Sequence, residues 1–209
     1  MTPIEQTLKN LRTNNFEAYR VATPQEACEL VFTKILPRLN FTTVSYADSM
    51  TMQATGILGK LREETGITMI ETFSPDYSPQ QRLDKRKAAL LADVFFTGTN
   101  ALTVSGQLVN LDMIGNRVGA ITFGPHDVIL FIGKNKIVKN IEQARRRIKT
   151  ISAPKNAIRH SRFHLPCQKT ETCYDCHSKD RICNSWSITE KSYPAGRIKI
   201  ILIDQVLGL

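Results

Sequence analysis

The 209 residues, 42% of them hydrophobic, suffice for one core-bearing domain at roughly 100–200 residues per domain. With 11 Gly, 9 Pro and 22% charged residues, the composition excludes collagen-like, disordered and coiled-coil classes. The net charge of +9 is uneven: Gly133–Arg162 holds ten Lys or Arg against the single acid Glu142, leaving 18 basic and 18 acidic residues elsewhere. Apolar runs such as Val128–Ile132 fall far short of the roughly 18–20 residues of a membrane span. Met1–Asn15 is polar and has no signal-peptide core, so a cytoplasmic protein without a membrane partner is expected.

In chain order, Thr2-Pro3 and Thr23-Pro24 each put a capping side chain before a proline, opening two helices within residues 2–37. Leu8 and Leu11 mark the inner face of the first; Ala27, Leu30, Val31 and Ile35 mark that of the second. Phe41–Tyr46 is β-branched and aromatic and reads as a strand, Met50–Glu64 as one helix and Ile67–Phe73 as a strand. Ser78-Pro79 caps a helix running to about Leu91, and Asp93–Phe96 is a further strand. Ala101–Val104 and Gln107–Val109 flank Ser105-Gly106 as a hairpin. Val118-Gly119-Ala120 reads as a small, flexible run. Asp127–Ile132 has the continuous apolar character of a strand covered on both faces, Val138–Thr150 is helical, and Arg197–Ile203 is a last strand. The alternation predicts an α/β fold, a largely parallel sheet flanked by helices, in a single domain spanning 1–209.

In such a fold, ligands bind beyond the carboxyl ends of the strands, where loops and helix N-termini offer free N–H groups. Three segments qualify: Ser49 and Thr51 after the first predicted strand, Thr97-Gly98-Thr99-Asn100 after Phe96, and Gly115-Asn116-Arg117. They are expected to line one pocket for a small anion, with Arg117 pairing bidentately with its carboxylate or phosphate. Helix capping by Ser49 and Thr51 and ordinary turns at the glycines are the competing roles.

Cys28 stands alone in an amphipathic stretch and reads as a small buried thiol. Cys167, Cys173, Cys176 and Cys183 are spaced C-x5-C-x2-C-x6-C, which predicts a metal-binding insertion over 166–184. Zinc sites favour paired C-x2-C units, of which one is present, so the looser spacing favours an iron-sulfur cluster (4Fe-4S), with zinc the alternative. Unmetallated or redox-active thiols are the competing reading, and His177 is expected outside the ligand set. No G-x-S-x-G or Walker loop is present, and no catalytic residue is assigned.

The blocks Thr97-Gly-Thr-Asn-Ala-Leu-Thr, Leu108-Val-Asn-Leu-Asp, Gly115-Asn-Arg-Val-Gly-Ala-Ile-Thr-Phe-Gly-Pro and Ile201-Leu-Ile-Asp-Gln-Val-Leu-Gly resemble a LUD-domain protein, of the lactate-utilization family, over nearly the whole chain. The resemblance implies the fold of ribose-5-phosphate isomerase, glucosamine-6-phosphate deaminase and the CoA transferases. It also implies an iron-sulfur oxidoreductase partner in redox metabolism. Where family members carry a Gly-Gly-Ser type loop, this chain has Ala47-Asp48-Ser49, whose carboxylate opposes a phosphate. The alternative from another class is a noncatalytic subunit or nucleic-acid-associated regulator using the basic segment 133–162. The absence of Phe, Tyr and Trp from that segment argues against nucleic acid, because no base could stack there.

Overall fold

The computed structural model describes all 209 residues. Thr2 accepts the Glu5 amide and the Glu5 carboxylate accepts the Thr2 amide, a reciprocal cap that opens α1 (Pro3–Thr13). β1 (Glu17–Val21) follows, then α2 (Pro24–Leu30), capped by Thr23 and prolonged by π-helical and 3₁₀ turns to Arg38. β2 (Thr43–Tyr46) leads into α3 (Met50–Gln53), α4 (Ile57–Glu63) and β3 (Thr68–Ile70). A second reciprocal cap, Ser78 with Gln81, opens α5 (Pro79–Ala88). Next come β4 (Val94–Thr97), β5 (Ala101–Thr103), β6 (Leu108–Asp112), α6 (Asn116–Thr122), β7 (Asp127–Gly133) and β8 (Ile137–Val138). The chain closes with α7 (Ile141–Arg147), α8 (Ala153–Arg159), the single turn α9 (Cys167–Thr170), β9 (Ser185–Thr189) and β10 (Ile198–Ile203).

Six strands form an entirely parallel sheet in the order β1-β10-β7-β4-β2-β3. Strand alternation divides its side chains between two cores. Val128, Leu130 and Ile132 of β7 join Ile200 and Leu202 of β10 on one face, with Leu11, Ala120, Ile121 and, from the second sheet, Leu102 and Leu108. Ile129, Phe131, Ile201 and Ile203 point to the other face, against Ala27, Val31, Met52, Ile57 and Leu61. The second sheet, β8-β5-β6-β9, is mixed, and its outer face packs Val109 and Leu111 against Ala144 and Ile148. No helix is long and apolar enough to cross a membrane.

The parallel α/β sheet flanked by helices and the hairpin at Ser105-Gly106 agree with the sequence reading. β1 and β9 are absent from the sequence reading, and three predicted elements differ. Met50–Glu64 is two helices rather than one, because Gly56 takes a left-handed conformation (φ +72°) that interrupts the first turn pattern. Val118-Gly119-Ala120 lies inside α6 instead of a flexible run, its helix entered through the left-handed Gly115 (φ +88°). The helix expected from Val138 begins at Ile141, since Val138 pairs with Thr103 and the Asn140 side chain accepts the Gln143 amide.

Candidate functional site

The loops after β2, β3, β4 and β7 converge beyond the carboxyl edge of the parallel sheet on a cleft of about 540 Å³. Ser49 meets Gly98 there, and Gly98 permits it: a Cβ at that position would lie 2.5 Å from Ser49 Oγ and 3.2 Å from the Phe131 carbonyl oxygen. Ser49 also caps α3 by accepting the Met52 amide at 3.2 Å. Of the expected binding residues, Ser49, Gly98, Thr99, Asn100, Asn116 and Arg117 line this cleft. Thr51, Thr97 and Gly115 do not line it. Thr51 is buried and donates to the Leu207 carbonyl at 3.0 Å, and Thr97 is buried with its hydroxyl unpartnered.

Arg117 is 9% exposed, and its guanidinium is fully engaged by the protein. Nε donates to Asp112 at 3.0 Å, Nη1 to Asn110 Oδ1 at 2.6 Å and the Gly98 carbonyl at 3.3 Å, Nη2 to Asn100 Oδ1 at 2.8 Å and the Leu111 carbonyl at 3.2 Å. With all five N–H groups accounted for, Arg117 ties the β4 loop to β6 and has no free fork for a ligand.

The cations facing the opening are ones that the sequence reading did not assign to this pocket, three of them belonging to the basic segment 133–162. Arg82, Arg86, Arg159, Arg162 and Lys136 line the cleft together with only two acids, Asp48 and Asp112. Both acids are paired, Asp48 with Arg159 at 3.3 Å and Asp112 with Arg117. The Asp48 carboxylate that opposed a phosphate is thus held by Arg159 and by Gln53. Arg86 lies 5.3 Å from the Phe73 ring centre and leaves Nε without a partner; burial, with Arg162 and Arg82 nearby, lowers its pKa. Burial also holds His160 below the usual imidazole range. Lys136 is 5% exposed, and its Nζ donates to the Thr99 carbonyl at 3.1 Å. Desolvation, with Arg147 and Arg117 nearby, brings this amine down to about 7. The one sequence signal for it is its place in Gly133-Lys-Asn-Lys, at the exit of the apolar strand β7.

The basic segment does not form one face. Lys136 and Arg147 are buried, Arg159 and Arg162 turn into the cleft, and Arg145 lies over Trp186. On the far side of Ile182, Cys167, Cys173, Cys176 and Cys183 line a second, small apolar pocket with Pro154 and Leu165. Ile182 belongs to the walls of both. All four thiols are free, and no three His, Cys, Asp or Glu side chains stand close enough together to hold one metal ion. Burial raises the Cys167 and Cys183 thiol pKa values, and neighbouring thiols add to this. Arg181 donates to the Cys176 carbonyl at 2.6 Å and the Cys183 carbonyl at 3.0 Å, and both Arg181 and Lys149 bind Asp175. The Asp175 amide points at Cys173 Sγ, 3.4 Å away. His177 is exposed, and Cys28 is buried in the core.

Parallel strands ending in a cationic, loop-built cleft, with helices on both faces of the sheet, define an α/β protein. The chain matches the LUD domain over residues 4–203 and belongs to that family. It is similar to the crystal structure of a DUF162 family protein from Deinococcus radiodurans, with a TM-score of 0.52 and 14% identity over 96% of each chain, a likeness of fold. No curated protein matches it.

Proposed function

We propose that this LUD-domain protein is lactate-utilization-like: it binds a small organic-acid or phosphorylated anion in the strand-end cleft and carries a metal centre on Cys167, Cys173, Cys176 and Cys183, in the service of redox metabolism. The observation that carries the reading is the cleft's unbalanced charge. Arg82, Arg86, Arg162 and Lys136 line it without an acidic partner, and an anion would supply the missing countercharge.

The donor set suits a soft metal in kind, although the thiols would have to draw together around it, since no three stand within reach of one ion here. Four reduced thiols share one apolar pocket, an N–H points at one sulfur, and Lys149 and Arg181 offset the negative charge that thiolate ligation creates. Bound iron-sulfur would supply one-electron transfer, whereas zinc would supply order to the loop. Because Ile182 lines both sites, such a centre would lie one side chain from the ligand, an arrangement that favours redox chemistry and an iron-sulfur oxidoreductase as partner.

The test is the melting temperature of anaerobically purified protein with L-lactate, sugar phosphates and CoA esters, for wild type, Asn116→Ala and Arg86→Met. An anion that binds the folded state raises the melting temperature by linkage, and the variants should show a smaller rise. If no compound shifts the wild type, the small-anion reading fails.

A further inference from the structure

The chain of Lys136 runs inward from the end of β7, and its amine meets the cleft wall with a single protein acceptor, the Thr99 carbonyl. No carboxylate pairs with it. The charged groups packed nearest are Arg117 from α6 and Arg147 from α7. Arg117 is neutralised by Asp112, but Arg147 is buried on neutral partners alone, the Asn135 and Asn100 carbonyls and the Ser152 hydroxyl. From the other side the C-terminal segment closes in, since a Cβ on Gly208 would lie 3.3 Å from Lys136 Nζ. That segment brings Leu209 to the cleft wall without an ion pair to Lys136. A buried ammonium with spare donors and no counterion is costly unless an anion completes it.

We propose that Lys136 is the residue that recognises the acid group of the ligand: a compact anion, carboxylate or phosphate-like, docks on its Nζ as the missing countercharge. The inference rests on the anion-binding reading of the cleft and names the group that enforces it.

The free amine titrates at about 7, and a bound anion raises that value by favouring the ammonium form. Affinity is then greatest at and below pH 7. If the bound amine stays charged to pH 9, affinity falls about 50-fold between pH 7 and 9, with uptake of about one proton per anion at pH 8. The other charged and titratable groups facing the cleft are Arg82, Arg86 and Arg162, His160, which burial keeps neutral across this window, and the Asp48–Arg159 and Asp112–Arg117 pairs.

The experiment titrates wild type and Lys136→Met with L-lactate and with sodium sulfate, neither of which changes charge between pH 7 and 9, by calorimetry in two buffers of different ionisation heat. Wild type should bind at least one probe with the 50-fold loss and the proton uptake, and Lys136→Met should lose that binding. Without ligand, the variant should melt at or above wild type, since burying Lys136 costs folding free energy whether the amine keeps its charge or gives up its proton. Binding of lactate alone marks a carboxylate site, and binding of sulfate alone a phosphate-type site. Wild-type binding that is independent of pH, or retained by Lys136→Met, overturns the role of Lys136 and leaves the cleft reading standing. No binding of any anion by wild type overturns both.

Discussion

Arg117→Met separates a scaffold role from a ligand-clamping role. The substitution removes five donors at once and strands the Asp112 carboxylate, which is as buried as its partner, each side chain being 11% exposed. Breaking a buried pair from one side costs about 3–5 kcal/mol, a large part of the roughly 5–15 kcal/mol that holds a domain folded. For a chain of this size that corresponds to a melting temperature lower by about 10 °C. The double variant Asp112→Asn/Arg117→Met removes the stranded charge, so the two substitutions should be less than additive by about 1–3 kcal/mol. Urea unfolding of wild type, both single variants and the double variant measures the cycle. The scaffold reading is refuted if Arg117→Met unfolds within about 0.5 kcal/mol of wild type while losing its response to anions.

Gly98→Ala should destabilise by about 1–3 kcal/mol, because the new methyl meets Ser49 Oγ at 2.5 Å; Ser49→Ala in the same chain should return part of the loss in chemical denaturation. The amides of Thr42 and Thr43 and the Thr43 hydroxyl hold the Asp93 carboxyl at about 2, below its ordinary value of 3.8. This contribution is complete above about pH 4 and is lost as pH falls through about 2, so Asp93→Asn should flatten the acid limb of a stability profile in that range. Protein purified without oxygen should contain iron with broad visible absorbance that fades in air, or else stoichiometric zinc without colour; Cys176→Ala should lower metal content and loop protection from proteolysis, and unchanged values would remove the ligand assignment.

What could be read from the sequence follows from where the information sits. β7 and β10 are apolar on both faces, so their burial shows in the residues themselves. β1 escaped because it is an edge strand whose Glu17 and Arg20 are held by Arg38 and Asp204, partners far along the chain. β9 alternates Ser, Trp, Ser, Ile, Thr, a half-exposed pattern overshadowed by the cysteines before it. The convergence of Ser49, Gly98 and Asn116 was readable from strand-end logic, whereas the roles of Arg117 and Lys136 were not. Both depend on tertiary neighbours: Asn100 and Asn110 engage the guanidinium, and the Thr99 carbonyl accepts from an amine 37 positions away. A basic residue within a charged run reads as solvated until its burial is known.

The central claim, that the strand-end cleft is an anion site, is tested most directly by a crystal structure of the protein grown with sodium selenate, whose selenium is located by anomalous scattering. The account predicts a selenate in the cleft within hydrogen-bonding distance of Lys136 Nζ, with Arg86 or Arg162 facing it. Selenate bound elsewhere on the surface, with only water between these cations, would contradict it.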